Sequence, residues 1–217
     1  MKNKKFVTVA IDSPAAAGAG TQSKLISKHY NLFYLDTGKI YRYIGLLRIK
    51  FENKFSYSLV KKKISMLKIK FLSKKELLSD EVALSAAIIA KDKKIRDIVH
   101  KFQQHCAYKP PKRFSGSVLD GRDITSVQLK DATFKFYITA SISARAKRRY
   151  NEYKTLNKKI SLREVVKSIK IRDKLDRNRK YGPLKKTKDS ILINTTKLSK
   201  KACFNKIKAI MDRKLNN

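Results

Sequence analysis

Between an apolar, β-branched run, Phe6-Val-Thr-Val-Ala-Ile11, and a helix-forming run that begins at Thr21, the chain carries only small or turn-forming residues: Ser13-Pro-Ala-Ala-Ala-Gly-Ala-Gly-Thr21. A strand, a loop of small side chains and a helix start together make a phosphate site. Amide N–H groups at the helix start point outward, and small side chains let an anion approach them. The regular pattern G-x-x-x-x-G-K-[ST] is broken here: Ser13 stands at its first Gly, and Ala19, one residue before Gly20-Thr21, stands where such loops carry Lys. Taken alone, the segment would also serve as a tight turn that packs a helix on a sheet.

Arginine supplies the second set of candidates. The chain has 53 Lys and Arg against 17 Asp and Glu, a net charge of +36, yet only 13 of the basic residues are Arg. Arg offers a planar fork that grips phosphate through two parallel hydrogen bonds, which Lys cannot copy. In a chain rich in Lys, Ile and Asn, as an AT-rich coding sequence would give, the positions that stay Arg are candidates for geometry-demanding work: Arg42, Arg96, Arg122, Arg148, Arg149, Arg172, Arg177 and Arg179. The lysines are scattered, which predicts a solvated basic surface whose contact with nucleic acid is weak, non-specific and salt-dependent. His100, His105 and Cys106 lack a further Cys or carboxylate at ligand spacing and are expected to be helix-surface histidines beside a structural thiol. Cys203 is expected to be a buried small hydrophobe.

The elements that must position these groups follow an α/β rhythm. At 217 residues and 42% hydrophobic, the chain is long and apolar enough for one core, which excludes a disordered polycation. No apolar run approaches a membrane span, the basic start Met1–Lys5 meets Asp12 too soon for a signal peptide, and two cysteines suit a reduced, cytoplasmic setting. Strands are predicted at 6–11, 33–35, 117–119, 134–139 and 190–194. Helices are predicted at 21–29, 39–48, 81–90, 93–104, 141–153, from Ser161 toward 176, and after Ser199. Ser73-Lys-Lys-Glu76 and Ser161-Leu-Arg-Glu164 have the capping-box pattern, Leu67–Phe71 reads as a short strand, and 157–159 reads as a loop. The alternation predicts a parallel sheet covered on both faces.

The loop, Asp36-Thr-Gly-Lys-Ile-Tyr-Arg42, Asp120-Gly-Arg-Asp123 and Arg172-Asp-Lys-Leu-Asp-Arg-Asn-Arg179 fall in this order along the chain. Together they resemble bacterial cytidylate kinase (CMP kinase) from Val7 to the C-terminal helix. The resemblance implies a three-layer P-loop NTPase-type α/β fold with a parallel sheet, as in nucleoside monophosphate kinases. Its core would be 1–37, 113–150 and 183–217, with a reduced helical acceptor-binding insert at about 38–112 and a lid at about 151–182. It implies ATP-dependent phosphorylation of CMP, and of dCMP, by a cytoplasmic monomer with ATP and Mg²⁺ as cofactors. Ser13, Pro14, Ala15, Ala16, Ala17, Gly18, Ala19, Gly20 and Thr21 would wrap ATP, with Thr21 at Mg²⁺. Arg42, Arg122 and Arg179 would hold the acceptor and migrating phosphates, joined by Arg148 and Arg149 when the lid closes. Thr37, Arg96 and Asp123 would meet the nucleotide, Arg96 and Asp123 at the cytosine, while Arg172 and Asp176 hold the ribose. Ala19 for Lys, Ala87 for a base-contacting Ser, Thr125 for Gly and Leu175 for a lid Arg depart from that pattern. The rival expectation is a non-catalytic relative that binds nucleotide or RNA through its charge.

Overall fold

Val7–Asp12 forms β1, buried along its whole length, and it lies at the centre of a five-stranded sheet of order β2-β3-β1-β4-β5. The partners are β2 (Phe33–Asp36), β3 (Gly116–Gly121), β4 (Phe134–Thr139) and β5 (Ile191–Asn194), and every pairing is parallel. The computed structural model describes residues 6–157 and 159–216; the basic start and Lys158 of the loop at 157–159 lie outside the described residues. A central strand that enters first, with neighbours added on both sides, places a crevice beyond its carboxyl end, where open α/β sheets take their ligands.

Side-chain alternation assigns the two faces. Val7, Val9 and Ile11 point to one side, where α1 (Ala19–Tyr30) and α8 (Lys200–Leu215) cover them with Ile26, Cys203, Ile207 and Met211. Ala10, Leu35 and Leu119 belong to the opposite core with α2 (Thr37–Phe51), α3 (Tyr57–Ser65) and α5 (Lys93–Tyr108). This period of two, repeated in adjacent strands, fixes the register of the sheet. The remaining helices are α4 (Asp80–Ile89), α6 (Ile142–Thr155) and α7 (Leu162–Asn178). Between α6 and α7, Ala146, Val165 and Ile169 make a small separate core.

Ser161 and Glu164 form the expected capping box at α7, and Ser199 caps α8 through the Ala202 N–H. The expected strand at 67–71 and the cap at Ser73 are not formed. Ile69–Ser73 and Lys75–Leu78 are two short 3₁₀ turns, and Ser79 caps α4 instead, accepting from the Val82 N–H at 3.2 Å. Ser73 is consumed by the first turn, so its hydroxyl does not stand at a helix start. Glu76 pairs with Lys50 at 2.8 Å rather than reaching back. With no neighbouring strand to complete a ladder, Leu67–Phe71 gains more by burying Leu67 and Leu72.

The tightest helix crossing in this part of the chain is where α2 meets α4. A Cβ on Gly45 would lie 2.8 Å from the Ala86 amide nitrogen and 3.0 Å from the Val82 carbonyl, so the helices touch through bare backbone. The Ser85 hydroxyl donates to the Gly45 carbonyl at 3.1 Å. Helix propensity alone favours Ala over Gly by about 1 kcal/mol, but forcing a methyl into this crossing costs about 1–3 kcal/mol. Gly45→Ala is therefore expected to lower the melting temperature by a few degrees, at roughly 2–4 °C per kcal/mol for a chain of this size. A melting temperature equal to or above that of the unmutated protein, measured by calorimetry, would show that α4 is free to move aside.

Candidate active site

The loop Ser13–Gly18 leaves β1 and turns into α1, whose start has no side-chain cap and no acidic residue in its first turn. Its leading amides are thus left for an anion. Gly18 takes the left-handed conformation (φ 98°) that lets the loop turn into the helix, and Ala16 is also left-handed (φ 60°). The Ser13 N–H donates to the Gly121 carbonyl at 3.2 Å, joining the loop to the end of β3. Thr21 is exposed, so its hydroxyl is accessible, whereas Ala19 is buried in the apolar core beneath the loop.

Two arginines of α6 hold this loop from behind. Arg145 reaches the Ala15 carbonyl at 3.2 Å and grips Asp173 of α7 with both arms, at 3.0 and 2.6 Å. Arg148 donates to the Ala17 carbonyl at 3.3 Å and to the hydroxyl and carbonyl of Thr195 at 2.9 and 2.6 Å. Arg145 and Asp173 were not among the sequence candidates. Their signal was present: Arg145 lies three residues before Arg148 on one helix, and Asp173 sits inside the quoted acidic-basic block.

Opposite the loop, the strand ends bring two carboxylates side by side. The β2–β3 register pairs Asp36 with Asp120. Burial pushes the Asp120 carboxyl up to about 7, and the charge of Asp36 adds to the shift, while the Tyr34 hydroxyl and Arg122 oppose it. Its Oδ1 is buried without a hydrogen-bond partner among the described residues, and a Cβ on Gly20 would lie 3.6 Å from its other oxygen. Thr21, Asp36 and Asp120 therefore fit a divalent cation, which would relieve their mutual repulsion and use the orphaned oxygen. Asp12, one strand over, accepts the Ile124 and Thr125 N–H groups at 2.7 and 2.9 Å and the Thr125 hydroxyl at 2.6 Å. Burial raises its carboxyl to about 6 despite these donors. Thr37 donates its hydroxyl to the Asp120 carbonyl at 2.7 Å, which ties α2 to β3.

Beyond the strand ends lies the arginine cleft. Asp176 of α7 accepts from Arg122 at 2.7 Å and pairs with Arg172 at 3.6 Å and Arg179 at 3.9 Å. Burial alone would raise its carboxyl, but Arg122, Arg172 and Arg179 hold it below the ordinary range. Asp123 is buried against Arg96, with Arg179 at 3.5 Å and the Gln128 amide at 3.3 Å. Arg96 also donates to the Ala90 carbonyl at 3.2 Å and stacks over Tyr41. Gly182, left-handed at φ 56°, lies so close that a Cβ would fall 2.3 Å from both Arg96 and Asp123. Arg42 donates to the Leu77 carbonyl at 2.8 Å, and its pKa is lowered by burial and by the neighbouring Arg172 and Arg149. Arg149 pairs with Glu152 of its own helix at 3.1 Å. The arginines outnumber the carboxylates that pair with them, so the cluster favours an anion. His100, expected on the helix surface, is instead half-buried, with its Nε2 enclosed.

A carboxyl whose pKa is raised by folding binds its proton more tightly in the folded state. Its contribution favours the fold at low pH and is lost as pH rises from 3.8 through about 7 for Asp120. Asp120→Asn removes that loss and places an amide N–H toward Asp36. Its thermal unfolding is expected to exceed that of the unmutated protein by a few degrees at pH 8, with the gap narrowing as pH falls and closing only near pH 3.8. A pH-independent difference would show that the Asp36–Asp120 pair is not strained.

Along most of its length the chain is similar to known proteins. The family model described as cytidylate kinase matches residues 9–213. The cytidylate kinase of Clostridium botulinum (strain Loch Maree / Type A3) is 37% identical over 218 residues, covering 95% of this chain and 98% of the relative. That of Thermosipho melanesiensis is 36% identical over 216 residues, covering 95% and 97%. Among solved structures, an uncharacterized protein from Eubacterium ventriosum shares the fold at a TM-score of 0.57 and 14% identity, covering 95% of this chain and 98% of that one.

Proposed function

We propose, from the premise that this chain belongs to the cytidylate kinase family, a family of phosphotransferases, that it moves the γ-phosphoryl group of ATP onto CMP, and onto dCMP. The supporting observation is the cleft in which Arg42, Arg122, Arg149, Arg172 and Arg179 converge opposite a phosphate loop. The acceptor is a phosphate that is already an anion, so the reaction needs no strong general base. It needs alignment and positive charge around a loose transition state. In this reading the loop Ser13–Thr21 wraps the ATP phosphates, with the uncapped amides at the start of α1 donating to them, and Arg42, Arg122 and Arg179 hold the acceptor phosphate in line. Mg²⁺, held by Thr21, Asp36 and Asp120, would neutralise charge on the β- and γ-phosphates when bound. In this reading Arg149 meets the migrating group when the lid (151–182) closes over the insert (38–112), while Arg148 holds the loop from beneath. Asp123 with Arg96 reads the cytosine, and Asp176 with Arg172 takes the ribose.

The chain would work in the cytoplasm as a monomer, and its lysines would meet nucleic acid only weakly and without sequence preference. Among the described residues, no helix is long and apolar enough to cross a membrane.

The missing loop Lys should make this enzyme slow. Losing one preorganised donor costs about 2.7–4 kcal/mol, or roughly 10²–10³ in rate. In this reading Lys24, one helical turn after Thr21, and Lys39 of the Asp36 motif make up part of that loss. A coupled assay with CMP and Mg-ATP should yield CDP, and Ala19→Lys should raise kcat by at least about tenfold. Absence of CDP after overnight incubation at high enzyme would sink the kinase reading, and an unchanged rate in the variant would show that another cation has taken the Lys role.

Asp123→Asn separates the two substrate sites. The amide turns a donor toward the cytosine amine, so KM for CMP should rise at least about tenfold, the loss of one buried charged hydrogen bond. KM for ATP should stay within a factor of about two. Equal damage to both would mean that Asp123 serves the fold rather than the base.

A further inference from the structure

Three polar atoms around the Asp123–Arg96 pair are buried and have no hydrogen-bond partner among the described residues: Gln128 Oε1, His100 Nε2 and Tyr41 Oη. Of these, Gln128 Oε1 has the most constrained geometry. Gln128 is 3% exposed and lies in the five-residue π turn Ile124–Gln128 that follows Asp123. Its amide nitrogen donates to Asp123 Oδ2 at 3.3 Å. The opposite amide orientation would set oxygen lone pairs against a carboxylate, so charge fixes which end faces Asp123. The amide oxygen is thereby left as a second acceptor beside the carboxylate. His100 Nε2 does not satisfy it, since that atom is unpartnered as well, and Arg96 is occupied by Asp123 and the Ala90 carbonyl.

A buried acceptor without a donor costs free energy unless a ligand supplies the donor. The exocyclic amine of cytosine carries two coplanar N–H bonds, whereas uracil presents a carbonyl oxygen at the same ring position. We propose that Gln128 is a specificity-determining residue, an inference that rests on the CMP kinase reading. Asp123 accepts one amine proton and Gln128 Oε1 accepts the other. A 4-amino pyrimidine then satisfies both acceptors, and a 4-oxo pyrimidine sets an oxygen against two oxygens. The contact also supplies discrimination at a base pocket where Ala87 contributes no hydroxyl. No proton is transferred and no covalent step is involved; Gln128 acts on the base alone.

The test uses the full-length protein and its Gln128→Met variant, which keeps the side-chain length and removes the amide. Steady-state rates are measured with CMP, UMP and N4-methyl-CMP, and calorimetry measures CMP and UMP binding. In the variant the CMP-to-UMP ratio of kcat/KM should fall about tenfold, the loss of one buried hydrogen bond, through a higher KM for CMP and with KM for ATP unchanged. The unmutated protein should use N4-methyl-CMP, which has a single N–H, about tenfold less well than CMP. The variant, with no second acceptor to leave unpaired, should use the two about equally, the signature of a direct contact in a double-mutant cycle. A CMP-to-UMP ratio that does not change, or losses for CMP and N4-methyl-CMP in equal proportion, would overturn the proposal and leave Gln128 as a prop for Asp123. If the variant does not fold, equal use of CMP and N4-methyl-CMP by the unmutated protein overturns it just as well. Failure of the kinase reading looks different. Preferential binding of CMP without turnover would sink the kinase and leave the Gln128 contact supported, whereas no preference between CMP and UMP in binding would sink the contact.

Discussion

Two buried carboxylates hold this active cleft together. In a chain of net charge +36, Asp123 and Asp176 together take Arg96, Arg122, Arg172 and Arg179, four guanidinium groups on two acids. Buried ion pairs of this kind add little net stability, because desolvation cancels most of the Coulombic gain. Their consequence here is geometric. Each carboxylate fixes the forks around it while leaving a surplus of positive charge.

The same economy applies to the sheet. Asp12, Asp36 and Asp120 stand at the carboxyl ends of three neighbouring strands, where β1, β2 and β3 end together. Burial raises the carboxyl groups of Asp12 and Asp120, and only at Asp120 does a neighbouring strand-end acid, Asp36, add repulsion that a cation or a proton would relieve. The acidic wall beside the loop and the basic cleft beyond it divide one crevice into a cation side and an anion side. Phosphoryl transfer between two nucleotides needs both.

Much of this was legible in the residues. Val7–Asp12, the loop and α1 follow from a β-branched run, small residues and a helix-forming run, and the parallel order follows from alternation. The arginines of the cleft stood out because Arg is scarce beside Lys. Three things were not legible. The 3₁₀ turns at Ile69–Ser73 and Lys75–Leu78 replaced a strand and a cap because local pattern cannot tell whether a neighbouring strand exists to pair with. Asp36 and Asp120 lie far apart in the chain, and only the β2–β3 register makes them neighbours. Arg145 looks like any basic residue of α6 until Asp173 and the Ala15 carbonyl are seen within its reach.

Those contacts of Arg145, with those of Arg148, carry a consequence for the loop itself. A trans peptide is planar, and its C=O and N–H point in opposite directions; the described residues contain no cis bond. Arg145 draws the Ala15 carbonyl toward α6, and Arg148 draws the Ala17 carbonyl the same way. The N–H groups of Ala16 and Gly18 are therefore turned away from α6. Two guanidinium groups thus set the orientation of two amide donors they never touch, and the ordering entropy of those peptides is spent during folding rather than at the moment a phosphate arrives.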